Sequence, residues 1–334
     1  MARLWLVLVV LAAVWCVPAS AGVLVFQRPA VGDSAIVAAR SSDGGAARVI
    51  GRGADPVVSP NGRRVAFIQP RASCPRALFA GQGCSRLLVA DLDSDATTQV
   101  APFAQPPIAW STDSRYLASQ DTNQNNAHTQ VIRLRNRRRR IVPVAGSSPS
   151  DIVSITFSPD DAQVLTCDNY MGVLELSLAK TAAGGARSYG AVDDCWATWS
   201  RYGLAYTTTD STRDDPTSYN NILLRPGLMG AARTLDRLGP TSDPSLAGWS
   251  ASGELLAATA DPGGLHAVVI DPRNDATTTT WTSAPGALGA AVDGISRNAT
   301  RILLEQNNQI LAADVATRAI TVLATNAATA SWND

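Results

Sequence analysis

Short apolar runs alternate along the chain with tight clusters of Ser, Pro, Asp, Asn and Gly, and nowhere does a helical period of apolar positions hold. The stretch from Val57 to Phe67 is typical: Val-Val, then Ser-Pro-Asn-Gly, then Arg-Arg-Val-Ala-Phe. Related stretches recur at Ala109 to Ala118, Thr156 to Leu165, Thr198 to Tyr206, Gly248 to Ala257 and Gly294 to Leu304. Each has an apolar residue, a Ser, a turn of residues that preset or tolerate tight dihedrals, and a second apolar run. Further runs follow, such as Leu87 to Asp91, Val131 to Arg135, Val173 to Ser177 and Ala267 to Asp271. They are short and rich in Val, Ile, Leu and Thr, which predicts strands.

Taking the residue before each Ser as a marker gives Val58, Trp110, Phe157, Trp199, Trp249 and Ile295, with gaps of 52, 47, 42, 50 and 46 residues. A four-stranded propeller blade takes about 40 to 50 residues. The chain ends Ala330-Ser-Trp-Asn-Asp334, a first strand stopping at its turn, and Val23 to Phe26, Ala35 to Ala39 and Ala47 to Ile50 make three strands lacking a first. Joined, they complete a blade and remove exposed sheet edges. The expectation is an all-β protein, a single propeller over residues 22–334. It has seven four-stranded blades, with six or eight still compatible because insertions blur the spacing, and the C-terminal strand closes the ring on the N-terminal blade.

The Ser-Pro-Asn-Gly and Ser-Pro-Asp-Asp turns resemble the S-P-D-G repeats of TolB-type, WD-like propellers, also found in the propeller domains of prolyl oligopeptidase relatives. The resemblance covers nearly all of residues 22–334 but specifies a blade and not an activity. TolB has a further N-terminal α/β domain and six blades, and the peptidases have an α/β-hydrolase domain for which no residues are left here. Neither function is carried over.

Residues 1–21 read as a signal peptide. A small positive start is followed by an apolar run from Leu4 to Val17 and the small-x-small signal Ala19-Ser-Ala21. That run is shorter than the roughly 20 residues that span a bilayer, the alternative being an uncleaved anchor. The expected location is extracytoplasmic: secreted, periplasmic or associated with the cell envelope. Cys74, Cys84, Cys167 and Cys195 remain, an even number that favours disulfides in an exported chain, Cys74 with Cys84 and Cys167 with Cys195. Their spacing is not that of a zinc site.

Lys plus Arg and Asp plus Glu both total 28, so no global field points to nucleic acid or an anionic membrane. No phosphate- or dinucleotide-binding fingerprint and no nucleophile elbow is present, so no cofactor is expected. The two histidines, His128 and His266, fall in different repeats, which argues against a shared metal.

In a blade, the loops after second strands emerge on one face of the disc. The long segments Gln69 to Arg86, Gln120 to Thr129, Thr207 to Asn221 and Ala258 to Leu265 all follow second strands. Loops longer than about 12 residues usually carry function or disorder. Asp210, Asp214, Asp215 and Tyr219 in one, with Asn125 and His128 in another, are the candidate binding residues. The expected partner is a protein or cell-envelope component bound by a monomer, so the leading reading is a binding or scaffolding module. The alternative is a hydrolase or lyase acting on carbohydrates or lactones with carboxylates at the channel mouth. Candidates for it are Asp151, Asp193, Asp194, Asp243 and Asp293 near the starts of first strands, where turn or capping duty is the blander role. The basic run Arg135 to Arg140 falls on the opposite face, where a solvated turn is expected. The Asn298-Ala-Thr300 sequon overlaps a turn.

Overall fold

The alternation resolves into strands alone. The computed structural model describes residues 22–29, 36–41, 44–71, 85–121, 128–143, 151–170, 173–182, 186–192, 197–210, 219–226, 231–237, 243–261, 263–283 and 290–333, and these hold 28 strands and no helix. The signal segment, Cys74, Cys84, Asn125, Asp193, Asp194, Cys195, Asp214 and Asp215 lie outside the described residues.

Blade 1 begins with β1 (Val23–Arg28), β2 (Ile36–Ser41) and β3 (Gly44–Arg52). Blade 2 contains β4 (Ala54–Val58), β5 (Arg64–Pro70), β6 (Ser85–Asp91) and β7 (Thr97–Ala101). Blade 3 contains β8 (Gln105–Trp110), β9 (Tyr116–Asp121), β10 (His128–Arg133) and β11 (Arg138–Pro143). Blade 4 contains β12 (Asp151–Phe157), β13 (Gln163–Tyr170), β14 (Val173–Lys180) and β15 (Ala186–Val192). Blade 5 contains β16 (Ala197–Ser200), β17 (Gly203–Asp210), β18 (Tyr219–Arg225) and β19 (Arg233–Arg237). Blade 6 contains β20 (Asp243–Trp249), β21 (Leu255–Asp261), β22 (Gly264–Asp271) and β23 (Ala276–Thr282). Blade 7 contains β24 (Ala291–Ile295), β25 (Arg301–Gln306), β26 (Gln309–Asp314) and β27 (Ile320–Thr325), and β28 (Ala328–Trp332) follows it.

These strands form seven four-stranded sheets, six of them in sequence order and one ordered β28-β1-β2-β3. Strand β28 pairs antiparallel with β1, setting Leu24 opposite Trp332, Val25 opposite Ser331 and Phe26 opposite Ala330. Neighbouring first strands touch from β4 through β8, β12, β16 and β20 to β24, and β28 touches both β24 and β4.

Middle strands such as β5, β21 and β25 bury successive residues on both faces, so their apolar residues run on without a polar alternate. Leu255 and Ala257 of β21 pack toward blade 5 with Ile222 and Leu224, while Leu256 packs toward blade 7 with Ile302 and Leu304. The described residues form seven such hydrophobic clusters, each shared by two successive blades. One of them joins Leu303 and Ile310 of blade 7 to Leu24, Phe26 and Trp332 of blade 1.

The repeated Ser-turn is a hydrogen-bonded device. The Ser hydroxyl donates to an Asn or Asp two residues on, at 2.8 Å for Ser59–Asn61 and Ser111–Asp113 and 2.6 Å for Ser158–Asp160. The same hydroxyl accepts the N–H that starts the second strand, from Arg64 at 3.0 Å, Tyr116 at 2.8 Å and Gln163 at 2.9 Å. The Asn or Asp carbonyl-type oxygen in turn accepts an N–H two residues further, as Asx turns do. One residue later the backbone is left-handed, at Gly62, Ser114, Asp161, Gly253 and Ala299. That position abuts the preceding blade. Asp161 accepts the N–H groups of Thr112 and Asp113 at 2.7 and 2.9 Å. A Cβ on Gly62 would lie 2.3 Å from the Asn333 amide, so a larger residue there would require the Asn333 side chain to move.

Two of the marker tryptophans bolt blades together: Trp110 Nε1 donates to the Val57 carbonyl at 3.0 Å, and Trp249 Nε1 to the Thr198 carbonyl at 3.4 Å. Ser111→Ala, at a fully buried site, is expected to cost about 1–3 kcal/mol by leaving the Tyr116 N–H without its hydroxyl acceptor. Urea unfolding measures this, and a cost near zero would remove the Ser from the account of the turn.

Candidate functional site

Among the described residues, chemistry gathers where the loop-bearing face meets the channel at blades 7, 1 and 2. The groups are Asp293 on β24, Glu305 on β25, Thr329 and Ala330 on β28, Gln27 and Arg28 on β1, and Asp55 on β4. Asp293 sits at a register shift, between Val292 opposite Leu304 and Gly294 opposite Leu303. Its place, three residues before the motif Ser, is held elsewhere by Pro56, Ile108, Ile155, Ala197 and Ala247, so an acid replaces an apolar contact.

The Ala330 backbone N–H donates to the Asp293 carboxyl, whose Oδ2 is enclosed with no partner. Burial first, and the neighbouring Glu305 carboxylate second, push the Asp293 pKa up to about 7. Glu305 Oε2 accepts the Thr329 N–H at 2.7 Å. On the strands beside β28, the Asp55 N–H donates to Gln27 Oε1 at 3.3 Å, and burial raises the Asp55 pKa. The Arg28 guanidinium lies 5.0 Å over the Phe26 ring, with Nε enclosed and unpartnered. Two adjacent carboxyls, one holding its proton near neutrality, are the ingredients of acid–base chemistry. Here, however, each carboxyl also holds a backbone N–H of β28.

The strand ladders run further into the loops than the apolar pattern indicates. Strand β17 continues through Thr207, Thr208 and Thr209, so Asp210 and Tyr219 face each other as the last rung of blade 5. Strands β21 and β22 leave only two residues between Asp261 and Gly264, so the stretch Ala258 to Leu265 is a tight hairpin and not a long loop. At its edge, His266 Nε2 lies 3.0 Å from Asp261 Oδ1 and Nδ1 lies 3.0 Å from Thr282 Oγ1.

His128 opens β10 opposite Asp121 and Pro143, with Nδ1 enclosed and unpartnered. It belongs to blade 3, whereas Asp210 and Tyr219 belong to blade 5, so the structure does not bring these binding candidates onto one blade. Asp151 and Asp243 begin β12 and β20, opposite Asn169 and Ala260. Cys167 is buried within β13, which continues to Tyr170, and it is disulfide-bonded. It packs with Ala197, two residues after Cys195.

Glu305, Gln27 and Asp55 were not singled out by sequence reasoning. The readable signal was the lone acid at Asp293 in an otherwise apolar column, which points to a compensating polar neighbour. Among the described residues no three His, Cys, Asp or Glu side chains converge to hold a metal ion, and no helix is long and apolar enough to cross a membrane.

No protein-family model matches the sequence, and no curated protein matches it. Solved structures do. The β-propeller domain of the Trilobed protease from Pyrococcus furiosus, described as having an open velcro topology, is 12% identical with a TM-score of 0.62, over 91% of this chain and 92% of that one. TolB from Acinetobacter baumannii is 13% identical with a TM-score of 0.54, over 92% of this chain and 81% of that one. A prolyl endopeptidase is 13% identical with a TM-score of 0.62, over 91% of this chain and 50% of that one. This chain therefore spans about half the length of that endopeptidase. At these identities the likeness is one of fold.

Proposed function

We propose that this chain is an exported β-propeller that works as a binding or scaffolding module, presenting the loops after its second strands to a protein or cell-envelope partner. In this reading the protein is extracytoplasmic and monomeric, its seven blades form a closed ring, and a Cys167–Cys195 disulfide pins blade 4 to blade 5. One observation carries it: the channel-mouth carboxyls Asp293 and Glu305 hold backbone N–H groups of β28. The groups best suited to catalysis thus serve the ring. A rigid scaffold of this kind suits binding by the loops that it positions.

The raised pKa of Asp293 beside Glu305 favours a second reading, a hydrolase or lyase acting on carbohydrates or lactones. The partner is sought by affinity capture from the extracytoplasmic fraction with residues 22–334 as bait. Substituting Asp214, Asp215 and Tyr219 by Asn, Asn and Ala is expected to weaken the recovered complex about tenfold or more. Substituting Arg135 and Arg137, on the opposite face, is expected to leave it unchanged. The reverse pattern would assign binding to the other face. Turnover of a glycoside or lactone panel that disappears in Asp293→Asn would replace the binding reading with the enzymatic one.

A further inference from the structure

On the face of the disc opposite the loops, a groove of about 340 Å³ runs between blades 3 and 4, its walls including Tyr116, Arg133, Arg138, Arg140, Thr181 and Val131. The β10–β11 register explains the crowding of guanidiniums. Arg133 lies opposite Arg138 and Val131 opposite Arg140, so the strand period of two puts all four on one side of the sheet. Arg139, one residue out of phase, also borders the groove, but its guanidinium lies 3.8 Å from the buried carboxylate of Asp121. Among the described residues, the ion pairs of this blade use Arg115 and Arg139, and not Arg133 or Arg138. No carboxylate is among the described lining residues.

Blade 4 supplies the other wall. Arg140 donates to the Lys180 carbonyl, which fixes the floor between the blades. Thr181 is only 4% exposed, and its backbone N–H bonds the Ala162 carbonyl at 2.9 Å. Its Oγ1 is enclosed with no partner. A buried hydroxyl without a partner is unfavourable, and beside the Arg133 and Arg138 guanidiniums, which make no ion pair among the described residues, the group that would relieve it is an acceptor bearing negative charge. The volume suits one small ligand, and the Tyr116 ring offers a flat, half-buried wall.

We propose that this groove binds a phosphate or sulfate ester carried on a ring, with Arg133, Arg138 and the Thr181 hydroxyl on the oxyanion and Tyr116 against the ring. The site is separate from the loop face, so its fate does not depend on the partner proposed there. Calorimetric titration of residues 22–334 with phenyl phosphate, phenyl sulfate and inorganic phosphate tests it. Saturable one-to-one binding of at least one ester is expected, tighter than inorganic phosphate by about fivefold or more because only the esters bring a ring. The preferred ester identifies the source of the oxyanion.

The double variant Arg133→Gln, Arg138→Gln is expected to weaken binding about tenfold or more. Thr181→Val is expected to weaken it several-fold without lowering the thermal midpoint, because its hydroxyl has no partner in the free protein. Arg135 and Arg137 line the neighbouring groove with Asp91, so substituting both by Gln is expected to change binding less than twofold. Absence of saturation, equal weakening by both arginine pairs, or full affinity in Thr181→Val would each overturn the proposal.

Discussion

Deletion of the last six residues, Thr329 to Asp334, is expected to lower the thermal midpoint by roughly 10 °C or more, since about 2 °C accompanies each kcal/mol in a domain of this size. Nearly every residue of this tail holds the blades it lies between. The Thr329 and Ala330 N–H groups bond Glu305 and Asp293 of blade 7. Ser331 Oγ accepts the Val58 N–H of blade 2 at 3.2 Å. Trp332 packs with Leu24, Phe26 and Leu303, with the Arg301 guanidinium 5.5 Å over its ring. Asn333 Oδ1 accepts the Val23 N–H at 2.7 Å, and its own N–H donates to the Val23 carbonyl at 3.2 Å.

Loss of one buried Trp side chain costs about 3–5 kcal/mol. The hydrogen bonds add about 1 kcal/mol each, and two carboxyls are left without their donors. Calorimetry on the truncated chain beside Trp332→Ala separates strand pairing from side-chain packing, the point variant falling by roughly half as much. A truncated chain that melts with the full-length protein would show that the stability of the fold does not depend on β28.

Asp293→Asn is expected to stabilise the protein at pH 8 by roughly 2–4 kcal/mol and to leave it within about 1 kcal/mol of the parent at pH 4. The folded-state pKa of about 7 stands above the ordinary 3.8, so folding takes up a proton between those values. Stability from this group is therefore complete below about pH 4, declines as pH rises through 7, and is flat above. The amide copies the protonated acid: its Oδ1 can accept the Ala330 N–H, while its Nδ2 replaces the enclosed Oδ2 and carries no charge to repel Glu305. Urea unfolding at several pH values reads the result. A parent protein whose stability does not fall between pH 4 and 8, or a variant that follows the same slope, would place the proton elsewhere.

The blade was legible because each repeat solves the same local problem with the same atoms. A Ser hydroxyl and an Asn or Asp two residues on satisfy the turn's own backbone, and that need prints the Ser-x-Asx signature with little help from afar. Burial of both faces of the middle strands likewise prints unbroken runs such as Leu255 to Ala258. The half-motif at Ser331 to Asn333 was readable on the same ground. The strand ends were less so: Thr207 to Asp210 carries no apolar alternation, and only backbone pairing with Tyr219 to Ile222 makes it a strand.

What the tertiary structure alone decided is which side chains meet across blades. Asp293 and Glu305 lie on adjacent strands of blade 7, but their partners Thr329 and Ala330 arrive only with β28. Trp110 finds its acceptor at Val57, and Arg133 and Arg138 come to face Thr181, through the packing of separate blades. Such contacts join residues tens of positions apart, and no local period encodes them. They follow from the angle and register at which each sheet meets the next, which the apolar clusters between blades set.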